Sequence, residues 1–209
     1  MSELEFLRDI LGLQQEKLLA DTLSASQITS VSKGDILFKE GQVPTQICLL
    51  VKGIFRGFFS DLDGNEITDC LVAMPGYSLM PDSALTVASS LTIEALTDSL
   101  VFCLSIQDFL TLAQRYPAVQ ALYQKMLLYS FEYHRQLKVM MYQYKAAERY
   151  RWFLRYYPNV LDQISHKYVA SFLNMTPVTL SRLINTASAS EEAPELLDLF
   201  CFPDIKSSL

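Results

Sequence analysis

Cysteine is scarce in this sequence, and its placement is uninformative for metal or disulfide chemistry. Four residues, Cys48, Cys70, Cys103 and Cys201, are spread along 209 positions without a CxxC pair, in a chain large enough not to need disulfide staples. They read as small buried hydrophobes, and no spacing suits an iron–sulfur cluster, a structural zinc or any other metal. Histidine is scarcer still. His134 and His166 are far apart in sequence, no nucleophile accompanies either, and the reading is of a non-enzyme that needs no cofactor. Long apolar runs are missing as well: Ile47 to Val51 and Leu71 to Met74 fall far below the ~20 residues that span a bilayer. The N-terminus is acidic and lacks the basic region of a signal peptide, so a cytoplasmic protein with no membrane partner is expected. Nor is there an overall basic charge. A net charge of −6 excludes general coating of nucleic acid, which requires a basic surface, so any DNA contact must be local.

What is present is a core-forming composition, 50% hydrophobic and 19% charged, which excludes global disorder. Leu4, Leu7, Ile10, Leu11, Leu18 and Leu19 are spaced for one or two short amphipathic helices. From Ile28 to Leu104 the texture changes to short β-branched or alternating runs: 28–31, 36–38, 47–51, 54–59, 67–72, 92–96 and 100–104. The turns between them carry Gly34, Gly41, Gly53 and Gly64, where the chain can reverse with positive φ. Strands joined so often fit a jelly roll or barrel rather than a parallel sheet. Ser105 then caps a helix over 106–115 that ends at Tyr116-Pro117.

Glycine and proline are absent from Ala118 to Arg149, so nothing interrupts a long helix there. Its apolar residues Val119, Leu122, Met126, Tyr129, Tyr133, Leu137, Met140 and Tyr144 form a near-heptad stripe suited to packing against a second copy. A second row, Tyr123, Leu127 and Phe131, is left to pack on the β-unit. A helix over 146–156, anchored by Trp152 and Phe153, ends at Pro158. The expected domains are 1–117 (sensor), 118–145 (dimer helix), 146–185 (DNA-binding) and 186–209 (acidic tail).

Residues 165–185 carry the functional signal. Ser165 caps a first helix whose inward face is Val169, Ala170 and Leu173, and Asn174 tolerates the left-handed conformation of a sharp turn. Thr176 caps a second helix with Pro177 at its first position. Leu180, Leu183 and Ile184 turn inward, and Val178, Thr179, Ser181, Arg182 and Asn185 face outward. That is the pattern of a helix-turn-helix whose second helix enters the major groove. Arg182 is the base or phosphate reader, Thr179 and Ser181 are further polar contacts, and Lys167, Thr176 and Pro177 complete the candidate DNA-binding set. Local charge agrees: Lys145, Arg149, Arg151, Arg155, Lys167 and Arg182 stand against only Glu148 and Asp162.

The run ASFLNMTPVTLSR, residues 170–182, resembles the helix-turn-helix of Crp/Fnr regulators. Lys33-Gly34-Asp35, Phe38-Lys39-Glu40-Gly41, Val51-Lys52-Gly53, Asp63-Gly64 and Glu94-Ala95-Leu96 resemble the turns and closing strands of that family's cyclic-nucleotide-binding β-roll. The resemblance implies an α+β chain: an N-terminal antiparallel double-stranded β-helix (jelly roll), a long dimerisation helix and a C-terminal helix-turn-helix. It further implies a homodimer on double-stranded DNA with a two-fold symmetric operator, a small-molecule effector, and RNA polymerase as a further partner.

This chain departs from the family at three places. Cyclic-nucleotide-binding members hold the phosphate with an arginine, but Pro75 to Thr92 contains neither Arg nor Lys. A buried cyclic phosphate would be uncompensated, so cAMP and cGMP are not expected to bind. The cavity would instead take a more apolar or aromatic effector, lined by Tyr77, Met80, Asp82, Ser83, Leu85, Ser90, Thr92 and Tyr123. Val178 replaces a glutamate that accepts from cytosine, leaving a thymine methyl as the substitute contact. Finally, Thr186 to Leu209 offers Lys206 against Glu191, Glu192, Glu195, Asp198 and Asp204. Either this acidic tail packs on the protein through Leu196, Leu197, Leu199, Phe200 and Phe202, or the chain is a degenerate member acting as a ligand-sensing or protein-interaction module without DNA binding.

Overall fold

The computed structural model describes residues 1–82 and 84–187. Ser83, the tail from 188 onward with its apolar cluster, and Cys201 lie outside the described residues.

Seven strands occur where the alternation places them: β1 Ser26–Val31, β2 Ile36–Phe38, β3 Gln46–Lys52, β4 Phe55–Ser60, β5 Glu66–Val72, β6 Thr92–Ala95 and β7 Ser99–Ser105. They form two antiparallel sheets, β1-β7-β3 and β2-β6-β4-β5. The inward residues Leu50, Phe55, Leu79, Ile93 and Val101 meet between the sheets. Cys48 and Cys103, paired in register across β3 and β7, are buried there with their sulfurs 3.1 Å apart, so both behave as the small hydrophobes expected. β3 would be a bare edge, but residues 76–79 cover it: Leu50 N–H donates to Tyr77 O and Leu79 N–H to Cys48 O, each at 2.9 Å.

Gly53, between β3 and β4, has φ +114° and lies so close to Ser99 that an added Cβ would stand 2.0 Å from its Oγ. Gly34 has φ +90° with open space around it. Gly53→Ala should therefore cost at least about 2 kcal/mol, combining backbone strain with overpacking, while Gly34→Ala costs only the strain. Urea unfolding of the two variants should separate those contributions.

Helices wrap this sandwich. A short N-terminal helix α1 (Glu3–Glu5), capped by Ser2, runs into a π-helical turn over Phe6–Ile10, and Gly12 at φ +74° breaks it before α2 (Glu16–Ala25). Phe6, Leu7, Leu18 and Leu19 pack on β3, on β7 and on α3 (Ile106–Arg115), which the Ser105 hydroxyl caps by accepting from Asp108 N–H. The long helix α4 covers Pro117–Gln143. It stops two residues short of the expected boundary at 145, because Tyr144 and Lys145 are extended and Glu148 accepts from Lys145 N–H at 2.7 Å to start the next helix, α5 (Ala146–Tyr156).

The stripe expected to meet a second copy faces the chain itself. Val119 and Leu122 join the core under α3, Met126, Tyr129 and Tyr133 line a cavity against the sheet, and Leu137 and Met140 enter the C-terminal core. A heptad spacing records that a helix has an apolar face without saying what covers it. The apolar side chains left outward on α4 are Leu128 (68% exposed), Phe131 (70%) and Tyr142 (81%). The chain ends its described part with α6 (His166–Phe172) and α7 (Pro177–Ala187). Trp152, Phe153, Tyr157, Val169, Phe172, Leu173 and Leu180 bury one another in a core that also reaches Ile54, Leu71 and Leu96 of the β-unit.

Candidate DNA-reading face and effector cavity

α6 and α7 follow the sequence closely. Val169, Ala170 and Leu173 are fully buried, as is Leu180 of the second helix. Asn174 takes φ +49° at the turn. The Thr176 hydroxyl accepts from Thr179 N–H at 3.1 Å and lies 2.9 Å from the Thr179 hydroxyl, so it caps α7. Ser165 contributes only backbone: its carbonyl accepts from Tyr168 N–H and its side chain makes no capping bond, unlike the expectation.

Val178, Ser181, Arg182 and Asn185 are exposed at helical spacing on one face of α7, with Val178 60% exposed, and Pro177 is exposed at its start. Lys167 stands apart on α6, its Nζ 4.6 Å above the Tyr168 ring. Thr179 is half-buried, with its hydroxyl turned to Thr176, which weakens its assignment as a reader. Of the local basic residues, Arg149 is used internally: it donates to Tyr144 O at 2.8 Å and Asn174 O at 3.0 Å, and loss of water lowers its pKa.

The helix-turn-helix leans on its own β-unit through α6. Ser171 Oγ accepts from Thr68 N–H at 2.9 Å. Arg56 of β4, only 3% exposed, stacks on Tyr168 of α6 at 4.0 Å and on Phe58 at 3.9 Å. Its guanidinium is neutralised by Glu94 at 2.6 Å and Glu66 at 2.5 Å. Sequence reasoning missed this group, although a lone arginine inside Phe55-Arg56-Gly57-Phe58 was the available signal.

A cavity of about 470 Å³ lies between the β-unit and α4. Of the residues assigned to an effector pocket from the sequence, Tyr77, Met80, Asp82 and Tyr123 line it. Leu85, Ser90 and Thr92 are not among the lining residues, and Ser83 lies outside the described residues. Leu85 packs into the core under α3, Ser90 donates through its N–H and hydroxyl to Asp82, and Thr92 Oγ1 accepts from Glu40 N–H. The sequence missed Cys70, whose apolar surroundings push its thiol up to about 12, and the aromatic residues Tyr129, Tyr133, His134 and Tyr157. Tyr133 and Tyr157 hydroxyls are 2.8 Å apart, and burial raises both phenols above their ordinary range. No Lys or Arg occurs among the described lining residues. Described residues also hold no cluster of metal-ligating side chains and no helix long and apolar enough to cross a membrane.

The cyclic nucleotide-binding domain family matches residues 28–116. No curated protein sequence matches the chain. FixK2 from Bradyrhizobium japonicum superposes with a TM-score of 0.70 at 18% identity, over 78% of this chain and 84% of that one. The c-di-GMP responsive global regulator CLP of Xanthomonas campestris gives 0.67 at 10% identity, over 84% and 92%. The catabolite activator protein of Thermus thermophilus gives 0.53 at 23%, over 86% of each chain. Another similar structure, from Eubacterium rectale, carries the Crp/Fnr family name, with a TM-score of 0.66 at 15% identity over 84% of each chain. Residues 28–116 thus resemble the cyclic nucleotide-binding domain family, and the sandwich, the long helix and the terminal helical unit together share the fold of these solved Crp/Fnr-type structures.

Proposed function

We propose that the protein is a DNA-binding transcription regulator that acts as a homodimer and answers to an effector other than cAMP or cGMP. The observation that carries this reading is the exposed row Val178, Ser181, Arg182 and Asn185 on a helix whose opposite side is sealed by Leu180. A guanidinium so placed can pair with guanine O6 and N7, and Val178 suits a thymine methyl. Two copies are needed to meet two half-sites, and the outward row Leu128, Phe131 and Tyr142 of α4 gives a second copy an apolar seat. The absence of Lys and Arg among the cavity's described lining residues argues against a cyclic phosphate.

Anisotropy titrations against the protein's own upstream region should show tight binding that weakens as salt rises. Arg182→Ala should lower affinity by roughly 5- to 150-fold per half-site, which corresponds to about 1–3 kcal/mol for a lost bidentate contact. Sedimentation should give a dimer under the same conditions. Salt-insensitive or absent binding, or a monomer, would defeat the proposal and leave a ligand-sensing module.

A further inference from the structure

The cavity's chemistry restricts what it can hold. An anion would find no lysine or arginine among the described lining residues. A cation would find only Asp82 lining the cavity as a carboxylate, and its two oxygens already accept from Ser90 N–H at 2.8 Å and Ser90 Oγ at 2.9 Å. Burying an unpaired charge of either sign is costly, so an uncharged molecule is favoured. Apart from Cys70, Ser78, Ser130 and His134 the remaining walls are aliphatic and aromatic, and a volume of about 470 Å³ is in the range that encloses a molecule of two or three rings. Tyrosine rings accept aromatic partners edge-to-face or offset.

One contact joins this cavity to the DNA-reading unit. Tyr157, the residue that closes α5, is the only described lining residue from beyond α4. Its ring stacks on Phe153 at 5.2 Å with a 19° interplanar angle, inside the core that holds α6 and α7. Its hydroxyl donates to Leu71 O on β5 at 3.2 Å and meets the Tyr133 hydroxyl of α4. Sheet, long helix and reading unit therefore meet at one pair of phenol oxygens on the cavity wall. A ligand oxygen or nitrogen at that point would compete with Leu71 O for the Tyr157 proton and release α5 from the sheet.

We infer that the cavity takes an uncharged, largely apolar aromatic molecule, and that the Tyr133–Tyr157 hydroxyl pair is the contact through which its arrival reaches the DNA-reading helices. The inference rests on the effector reading of the cavity, but its test does not require DNA. The full chain is titrated with N-phenyl-1-naphthylamine, an uncharged aromatic dye, and with 8-anilinonaphthalene-1-sulfonate, the same skeleton carrying a sulfonate. Leu127→Trp, which fills the cavity from α4, defines the cavity-specific part of each signal, and circular dichroism verifies that the variant is folded.

The uncharged dye should bind that site at least tenfold more tightly than the sulfonate, and its binding should change amide hydrogen exchange over residues 146–172. Tyr157→Phe and Tyr133→Phe, each short of one oxygen and each compared at saturating dye, should abolish the exchange response. Equal or tighter binding of the sulfonate, dye binding insensitive to Leu127→Trp, or an exchange response that survives in both phenylalanine variants would overturn the inference. If these results hold while DNA binding fails, only the regulator reading falls.

Discussion

Arg56→Met is expected to destabilise the protein by about 3–5 kcal/mol, the usual consequence of leaving a buried charge without its partner. The arginine is almost wholly enclosed, and its guanidinium satisfies Glu94, which is itself largely buried, and the more exposed Glu66. Methionine would keep much of the packing between Phe58 and Tyr168 but strand the Glu94 carboxylate. The double variant Arg56→Met, Glu94→Gln should accordingly recover part of the loss, because the second change removes the stranded charge. Urea midpoints of the two variants give the comparison, and a double variant no more stable than the single one would show that the ion pair is not the source. The single variant should also loosen α6 from the sheet, since the Tyr168 ring loses the Arg56 guanidinium stacked on it.

The other large effect belongs to Phe153. Fully buried, stacked on Tyr157 and edge-on to Phe172, it sits where α5 meets the helix-turn-helix. Phe153→Ala should cost about 3–5 kcal/mol through lost burial and the cavity left behind, whereas Phe153→Leu should cost under about 1.5 kcal/mol. The sole tryptophan of the sequence, Trp152, is buried in the same core, so its emission reports on this unit directly. Under denaturant the alanine variant should lose that signal before the far-ultraviolet signal of the β-sandwich. Coincident transitions, or a small shift, would show that this core contributes less than its packing implies.

Periodicity made the elements legible but left their partners undetermined. All seven strands, and the helices at 106–115, 146–156, 166–172 and 177–187, are where alternation, caps and turn residues put them. Asn174 and Thr176 could be read because their roles are local, a positive φ and a cap hydroxyl. The start of α5 at 146 was legible, but the extended break at Tyr144 and Lys145 before it was not. The signal was Glu148 three residues beyond Lys145, which starts a helix in a stretch already rich in helix formers. The stripe on α4 was visible but assigned to the wrong partner, since tertiary packing decides what an apolar face covers. For the cavity, the stretch from 75 to 92 supplied only part of the wall, because Ser90 is bonded to Asp82 and Thr92 to Glu40. The wall from Tyr129, Tyr133 and Tyr157 comes from α4 and the end of α5, beyond that stretch in the chain, and no local pattern announces it.

Arg149 carries a wider implication for how such a protein selects its sites. By holding the carbonyl of Tyr144, at the joint between α4 and α5, and that of Asn174, at the bend before α7, it fastens joint and bend into one rigid piece. The attitude of Arg182 is then inherited from two extended residues lying upstream of every side chain that would touch a base. If the protein pairs on DNA as proposed, the backbone at Tyr144 and Lys145 would govern the separation of half-sites and α7 the identity of the bases, so the two could diverge independently.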